Sequence, residues 1–283
     1  CQASESMKDR PYIHGTSRRE QERLIHQAEL LSELLAGNLE YQAGERVLEI
    51  GCGVGAVLGQ IGKAHPDARL HGIDISPEQI EAAREHLSGL GLDRVELRVG
   101  DGAALPWESG TMDRVRLVWV VEHLRNPLAV LREALRVLRP GGTIHITETD
   151  YASLRVSPPD AAIEAMLQAF IAHFNRHGNA HAGPALGPLL EQAGFLQVSN
   201  QMVGIHHWCP SQRAEVQGFC NYLLRFIEPE GAALIHAAAT AAAARQITTG
   251  LERFAALATR PDGAISLTGY QARGMKGPDD RPS

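Results

Sequence analysis

An α/β fold built on a parallel sheet is the class this sequence predicts, and three observations carry that expectation. Strand-length apolar stretches alternate strictly with helical patterns over residues 46–149. The first strand runs directly into Glu49-Ile50-Gly51-Cys52-Gly53-Val54-Gly55, a turn too tight for side chains. The chain, 283 residues and 44% apolar, is long enough for one large α/β domain or a domain carrying an inserted cap. In such sheets ligands sit beyond the carboxyl ends of the strands, which here carry the glycine turn, Asp74, Asp101 and Glu122.

Each element has its own local reason. Leu24, Gln27-Ala28, Leu31 and Leu34-Leu35 recur at helical spacing, so a helix over 20–38 precedes the sheet. Strand one covers 46–50. A helix over 54–64 stops before Pro66. Strand two, 69–75, ends at Asp74, and Ser76-Pro77 supplies an N-cap and a first-turn proline for a helix reaching Leu90. Strand three spans 95–99 and meets Gly100-Asp101-Gly102. Strand four spans 114–121, a helix follows over 127–138, and Arg139-Pro140-Gly141-Gly142 turns sharply into strand five, 143–149. After Asp150 the rhythm changes: helices are expected over 160–177, 184–193, 212–227 and 231–257, with strands over 197–206 and 264–273.

Bulk properties narrow the function classes. A net charge of −6 with dispersed lysines and arginines removes any global electrostatic case for nucleic acid. No apolar run approaches the ~18 residues of a membrane span, and residues 1–10 lack the apolar segment of a leader. Cys1, Cys52, Cys209 and Cys220 make no C-x-x-C, so free thiols and a cytoplasmic location are expected. Among thirteen histidines, His173 and His177 share a helix face, but no third ligand or H-E-x-x-H accompanies them, and no metal is expected.

Five features arrive in order: Glu49-Ile50-Gly51-Cys52-Gly53-Val54-Gly55; Gly72-Ile73-Asp74-Ile75-Ser76; Gly100-Asp101; Leu105-Pro106-Trp107 with Met112-Asp113; and Leu138-Arg139-Pro140-Gly141-Gly142. Together they resemble the class I S-adenosylmethionine-dependent methyltransferases, in particular the small-molecule branch around ubiquinone and menaquinone biosynthesis. The resemblance covers residues 45–150 and is only topological beyond 151. It implies a Rossmann-like seven-stranded sheet, mostly parallel with an antiparallel last strand, and helical cap insertions. It implies four parts: a lid segment and helix over 1–40, a cofactor-binding core over 41–150, completion of the sheet with a cap over 151–275, and a disordered tail over 276–283.

The same resemblance implies roles for residues. S-adenosylmethionine, leaving as S-adenosylhomocysteine, is the cofactor. Gly51 and Gly53 permit backbone approach to its methionine part, and Glu49 holds the ammonium. Asp74, with Ile75 after it, takes the ribose hydroxyls; Asp101, with Gly102, takes the adenine amine; the backbone near Val118 meets the amino group. Tyr12, His14, Arg23 and Gln27 look like part of a lid that closes over the cofactor.

In-line methyl transfer needs alignment, water exclusion and, for an O–H or N–H acceptor, a base. Candidate bases are His123, Asp150 and His14, with Glu148 and Tyr151 nearby in sequence. Glu148 and Asp150 could instead serve only loop amides. Trp119, Phe170, Phe174, Trp208 and Phe219 are candidates for an apolar pocket or for core. The expected partner is a small metabolite methylated on O, N or C, with no nucleic acid and no membrane. Two alternatives carry similar motifs: a methyltransferase fold catalysing a cyclisation, and an NAD(P)-dependent oxidoreductase. Against the latter, the G-x-G-x-G spacing places the third glycine one position earlier than the dinucleotide fingerprint does.

Overall fold

The computed structural model describes residues 18–30 and 40–278. The chain divides into two compact units. Of the described residues, the first holds those up to Glu148 together with Ala182–Gln201 and those from Tyr270 on; the second holds Thr149–His181 and Met202–Gly269.

Seven strands form one sheet: β1 (Arg46–Ile50), β2 (Arg69–Asp74), β3 (Glu96–Val99), β4 (Met112–Val118), β5 (Leu138–Ser157), β6 (Leu196–Trp208) and β7 (Ala264–Met275), in the order β3-β2-β1-β4-β5-β7-β6. Strands β3, β2, β1, β4 and β5 pair in parallel. The chain steps outward from β1 to β3 and then returns to β4, which makes the β1/β4 boundary the switch point where such sheets bind ligands. β7 inserts between β5 and β6 and runs antiparallel to β5. At its end Gly141 N–H donates to the Lys276 carbonyl at 3.0 Å and Lys276 N–H to the Gly142 carbonyl at 2.9 Å. Lys276, placed by sequence in the tail, is thus held, and its Nζ also donates to the Leu138 carbonyl at 2.7 Å; residues 279–283 lie outside the described residues.

In the first unit, α1 (Arg18–Leu30), α2 (Ala56–Ala64), α3 (Pro77–Gly89), α4 (Pro127–Val137) and α6 (Ala182–Ala193) accompany the strands. Ser76 Oγ accepts Gln79 N–H at the start of α3, and Asn126 does the same for Ala129 at α4, each followed by proline. Such caps contribute about 1 kcal/mol apiece. The central strands read as apolar runs because both faces are covered: Leu48, Ile73, Leu117, Ile144 and Ile146 are fully buried.

Three expectations shift here, the first being that β5 runs on to Ser157 and does not stop at residue 149, which puts Asp150 and Tyr151 inside the strand. β4 stops at Val118, not at residue 121, because Trp119 turns left-handed at φ 51 and Val121–His123 form a 3-10 turn. The Arg139–Gly142 turn is absorbed into β5 as a bulge: Met112 faces Leu138 but Arg114 faces Thr143.

The second unit holds α5 (Ala161–Phe174), α7 (Arg213–Ile227), α8 (Gly231–His236) and α9 (Ala241–Ala255), and in it Tyr151 of β5, Phe170 and Phe174 of α5 and Phe226 of α7 form a cluster of rings 5.3–6.0 Å apart. The single helix expected over 231–257 is broken, since Thr240 caps Ala243 N–H and starts α9 anew. α9 meets α5 at Gly250, where a Cβ would lie 2.3 Å from the Ala162 carbonyl oxygen. Its alanine run is largely exposed, and the packing face is instead Ile247, Gly250 and Phe254. Phe170, Phe174 and Phe219 are core, whereas Trp208 is exposed. His173 of α5 bonds Glu230 at 3.0 Å.

Candidate methyl-donor site

The site grows from the end of β1. Glu49 pairs in register with Gly72 of β2 and Arg116 of β4, so both flanking strands wall it in. It is buried, and its Oε2 has no hydrogen-bond partner. Burial pushes its carboxyl from the ordinary 4.5 up to about 8, against the opposing pull of the Arg116 charge. A buried carboxylate oxygen without a partner is costly unless a donor or cation meets it.

Beyond Glu49 the chain turns left-handed at Gly51 (φ 71), Gly53 (φ 49) and Gly55 (φ 70). At Gly51 a Cβ would fall 2.5 Å from Val120 Cγ2, so both conformation and space demand glycine. Gly51 N–H donates to the Ile73 carbonyl at 2.8 Å, which ties the loop to β2. Cys52 fills the space above Gly72 as a buried thiol, with its pKa raised well above the usual range by burial.

Asp74 closes the far side. One carboxylate oxygen accepts Gly53 N–H at 2.9 Å and the other Ser76 N–H at 3.0 Å, so the side chain knots the glycine loop to the start of α3. Burial raises its pKa while these amides pull it back. Each oxygen keeps a second lone pair for a ligand hydroxyl. The knot was not anticipated, although an Asp two residues before a capping Ser is its local signature.

The remaining positions converge on the same end of the sheet. Gly100 N–H donates to the Asp74 carbonyl at 2.9 Å, which joins the end of β3 to that of β2 beside half-buried Ile75. Asp101 accepts Ala103 N–H at 2.8 Å in an Asx turn, and a Cβ on Gly102 would lie 2.8 Å from Ile50 of β1. Val118, nearly buried, pairs with Thr147. From α1, Leu24 lies 3.7 Å from a Cβ built on Gly53, Gln60 donates to the Ala28 carbonyl at 2.7 Å, and buried Arg23 and Gln27 bond each other at 2.8 Å. Tyr12 and His14 lie outside the described residues.

The candidate bases separate. His123 sits in the turn after β4, its Nε2 3.3 Å from Glu122 Oε1. Asp150 belongs to the second unit, where it accepts Ala152 N–H and pairs with His181 at 3.1 Å. Glu148 is wholly buried, and Oε1 accepts Val120 N–H at 2.8 Å and Val121 N–H at 2.6 Å. The other motif residues are scaffold. Glu133 and Arg136 of α4 hold the backbone of Leu105 and Trp107, and Asp113 binds Arg46 N–H and the Arg139 guanidinium.

Residues 48–146 match the methyltransferase domain family. An uncharacterised 37.1 kDa protein in transposon TN4556 of Streptomyces fradiae is 41% identical over 126 residues, covering 44% of this chain and 36% of that protein. The 27-O-demethylrifamycin SV methyltransferase of Amycolatopsis mediterranei is 37% identical over 118 residues, 40% of this chain and 42% of its own. These matches span less than half of either relative's length. The crystal structure of YcgJ from Bacillus subtilis shares the fold at a TM-score of 0.57 and 18% identity, over 88% of this chain and 98% of that one. Glycine loop, strand order and family match coincide on one segment, and residues 48–146 are a class I S-adenosylmethionine-dependent methyltransferase domain.

Proposed function

We propose that this chain transfers a methyl group from S-adenosylmethionine to O, N or C of a small-molecule metabolite. The observation that carries the reading is Glu49: a buried carboxylate with an unpartnered oxygen, set behind a turn at whose Gly51 no side chain fits. That pairing suits a cofactor with an ammonium beside groups that need close backbone approach.

When bound, S-adenosylmethionine supplies an already activated methyl group. Glu49 holds the ammonium, the Gly51–Gly53 backbone lies against the methionine part, Asp74 accepts from the ribose hydroxyls, and Asp101 with Gly102 receives the adenine. Arg23, oriented by Gln27, meets the carboxylate from α1, and the segment at Val118 lines the opposite wall. For an O–H or N–H acceptor His123, oriented by Glu122, takes the proton. Of the other two candidate bases, Asp150 is engaged with His181, and His14 belongs to the proposed lid with Tyr12. Acceptor recognition is assigned to the second unit, because every described residue given a cofactor role falls in the first.

A small acceptor is supported by the rifamycin-modifying relative and by the net charge of −6, which disfavours a polyphosphate substrate. Among the described residues no helix is long and apolar enough to cross a membrane; a cytoplasmic location is part of the proposal, supported by cysteine spacing alone. The purified protein should gain thermal stability with S-adenosylmethionine and S-adenosylhomocysteine and not with NAD(P). Methyl-labelled donor should pass label to a metabolite pool. Label entering RNA or protein instead, or a rearranged product without label, would overturn the reading.

A further inference from the structure

The turn that follows β4 is held by a group that belongs to neither the glycine loop nor the proton transfer. Glu148, within β5 one residue past its last pair with β4, is wholly buried and spends Oε1 on the amides of Val120 and Val121; the Glu122 amide bonds it as well. Its other charged neighbour is the carboxylate of Glu122, itself buried, so the pair repel. A carboxylate buried beside a second carboxylate is an expensive way to bind three amides that water or a neutral side chain could serve.

What the amides hold is strained and sits against the loop. Trp119, immediately before them, takes φ 51, a region that non-glycine residues adopt only where their surroundings impose it. Its N–H donates to the Thr147 carbonyl at 2.9 Å, next to Glu148 in sequence. Val120, the first residue bound by Glu148, carries the methyl that occupies the place of a Gly51 side chain. The path runs from Glu148 through the amides of 120–122 to the Val120 side chain and on to Gly51.

We propose that Glu148 is a positioning residue of the methyl-donor site: it clamps the Trp119–Glu122 turn so that Val120 closes against Gly51 and the wall after β4 is shaped for the donor. This rests on the donor reading above. Burial and the Glu122 charge raise the Glu148 carboxyl well above its usual range, so a neutral side chain bearing an acceptor oxygen can do the same work. The clamp therefore calls for an oxygen at that point and not for a charge.

The test measures S-adenosylhomocysteine affinity by calorimetry and the unfolding midpoint for the native chain, Glu148→Gln, Glu148→Asp and Glu148→Met. Gln retains the acceptor oxygen and should bind within about threefold of native. Asp withdraws the oxygen by one methylene and Met removes it; both should lose tenfold or more in affinity, measured far below their midpoints. A residue that only supports the fold would lower the midpoint and leave affinity unchanged. Native-like affinity in a folded Met variant overturns the proposal; if Met does not fold, native-like affinity in the Asp variant overturns it equally. A native chain that binds neither S-adenosylmethionine nor its product overturns the donor reading instead, whatever the variants do.

Discussion

Glu49 places opposing demands on one side chain. Its carboxyl, raised by burial from 4.5 to about 8, holds its proton more tightly in the folded chain than in the unfolded one. The folded state therefore loses stability as pH rises through that window. Glu49→Gln removes the loss and should stabilise the chain at pH 8 by a few kcal/mol, at about 1.4 kcal/mol for each pKa unit. Calorimetric melts at pH 5 and pH 8 should show a gain confined to the higher pH. Binding has the opposite sign: an ammonium needs the ionised carboxylate, so near pH 7 donor binding should expel up to one proton. Titrations in two buffers of different ionisation enthalpy should detect that proton in the native chain and not in the Gln variant. Asp74→Ala should act differently, because it unties Gly53 from Ser76 and also removes the ribose acceptor. Losing a charge-assisted bond costs about 1.5–3 kcal/mol, so calorimetry should show affinity for S-adenosylhomocysteine falling tenfold or more. Unchanged affinity would remove Asp74 from the site.

Among the elements, α1 is the one whose role a ligand should reveal. It touches the glycine loop through Leu24 and α2 through the Gln60 bond to the Ala28 carbonyl, while Arg23 and Gln27 hold each other buried. If these two side chains meet the donor carboxylate, amide exchange across Arg18–Leu30 should slow when S-adenosylhomocysteine is added. Equal exchange with and without it would leave Arg23 and Gln27 as packing. Strand and helix boundaries show how local rules fare. β1 ends where its apolar run ends, and α3 and α4 begin at their caps, because those signals act within a few residues. β4 ends three residues early because Glu148, 30 positions from Val118 in the chain, captures the amides that would have continued it.

At the scale of the whole molecule, two compact units divide the chain, and the described residues given donor roles all lie in one of them. Gly250→Val tests that division. It forces a side chain into the α5–α9 contact, where the Ala162 carbonyl and Met166 leave no room. Overpacking of this kind costs about 1–3 kcal/mol. The variant should melt earlier and keep its affinity for S-adenosylhomocysteine within about twofold; a parallel loss of affinity would mean the donor site depends on the second unit.

By itself the sequence determined the parts of this protein that act over short range. The strand–helix alternation dictates the parallel sheet, since βαβ connections leave few other arrangements. Three glycines after an acid dictate a backbone that a ligand can approach, and the placement of Asp74 and Asp101 at strand ends follows from the same periodicity. Tertiary structure alone decided which acids are buried with one oxygen unpartnered, which are tied to amides, and which pair with histidine. Glu49, Glu148 and Asp150 look alike as letters near the ends of strands. They differ because burial and hydrogen bonding are set by neighbours brought together from Arg116, Val120, Val121 and His181. A carboxylate's proton and its partners are properties of those surroundings, and no local pattern encodes them.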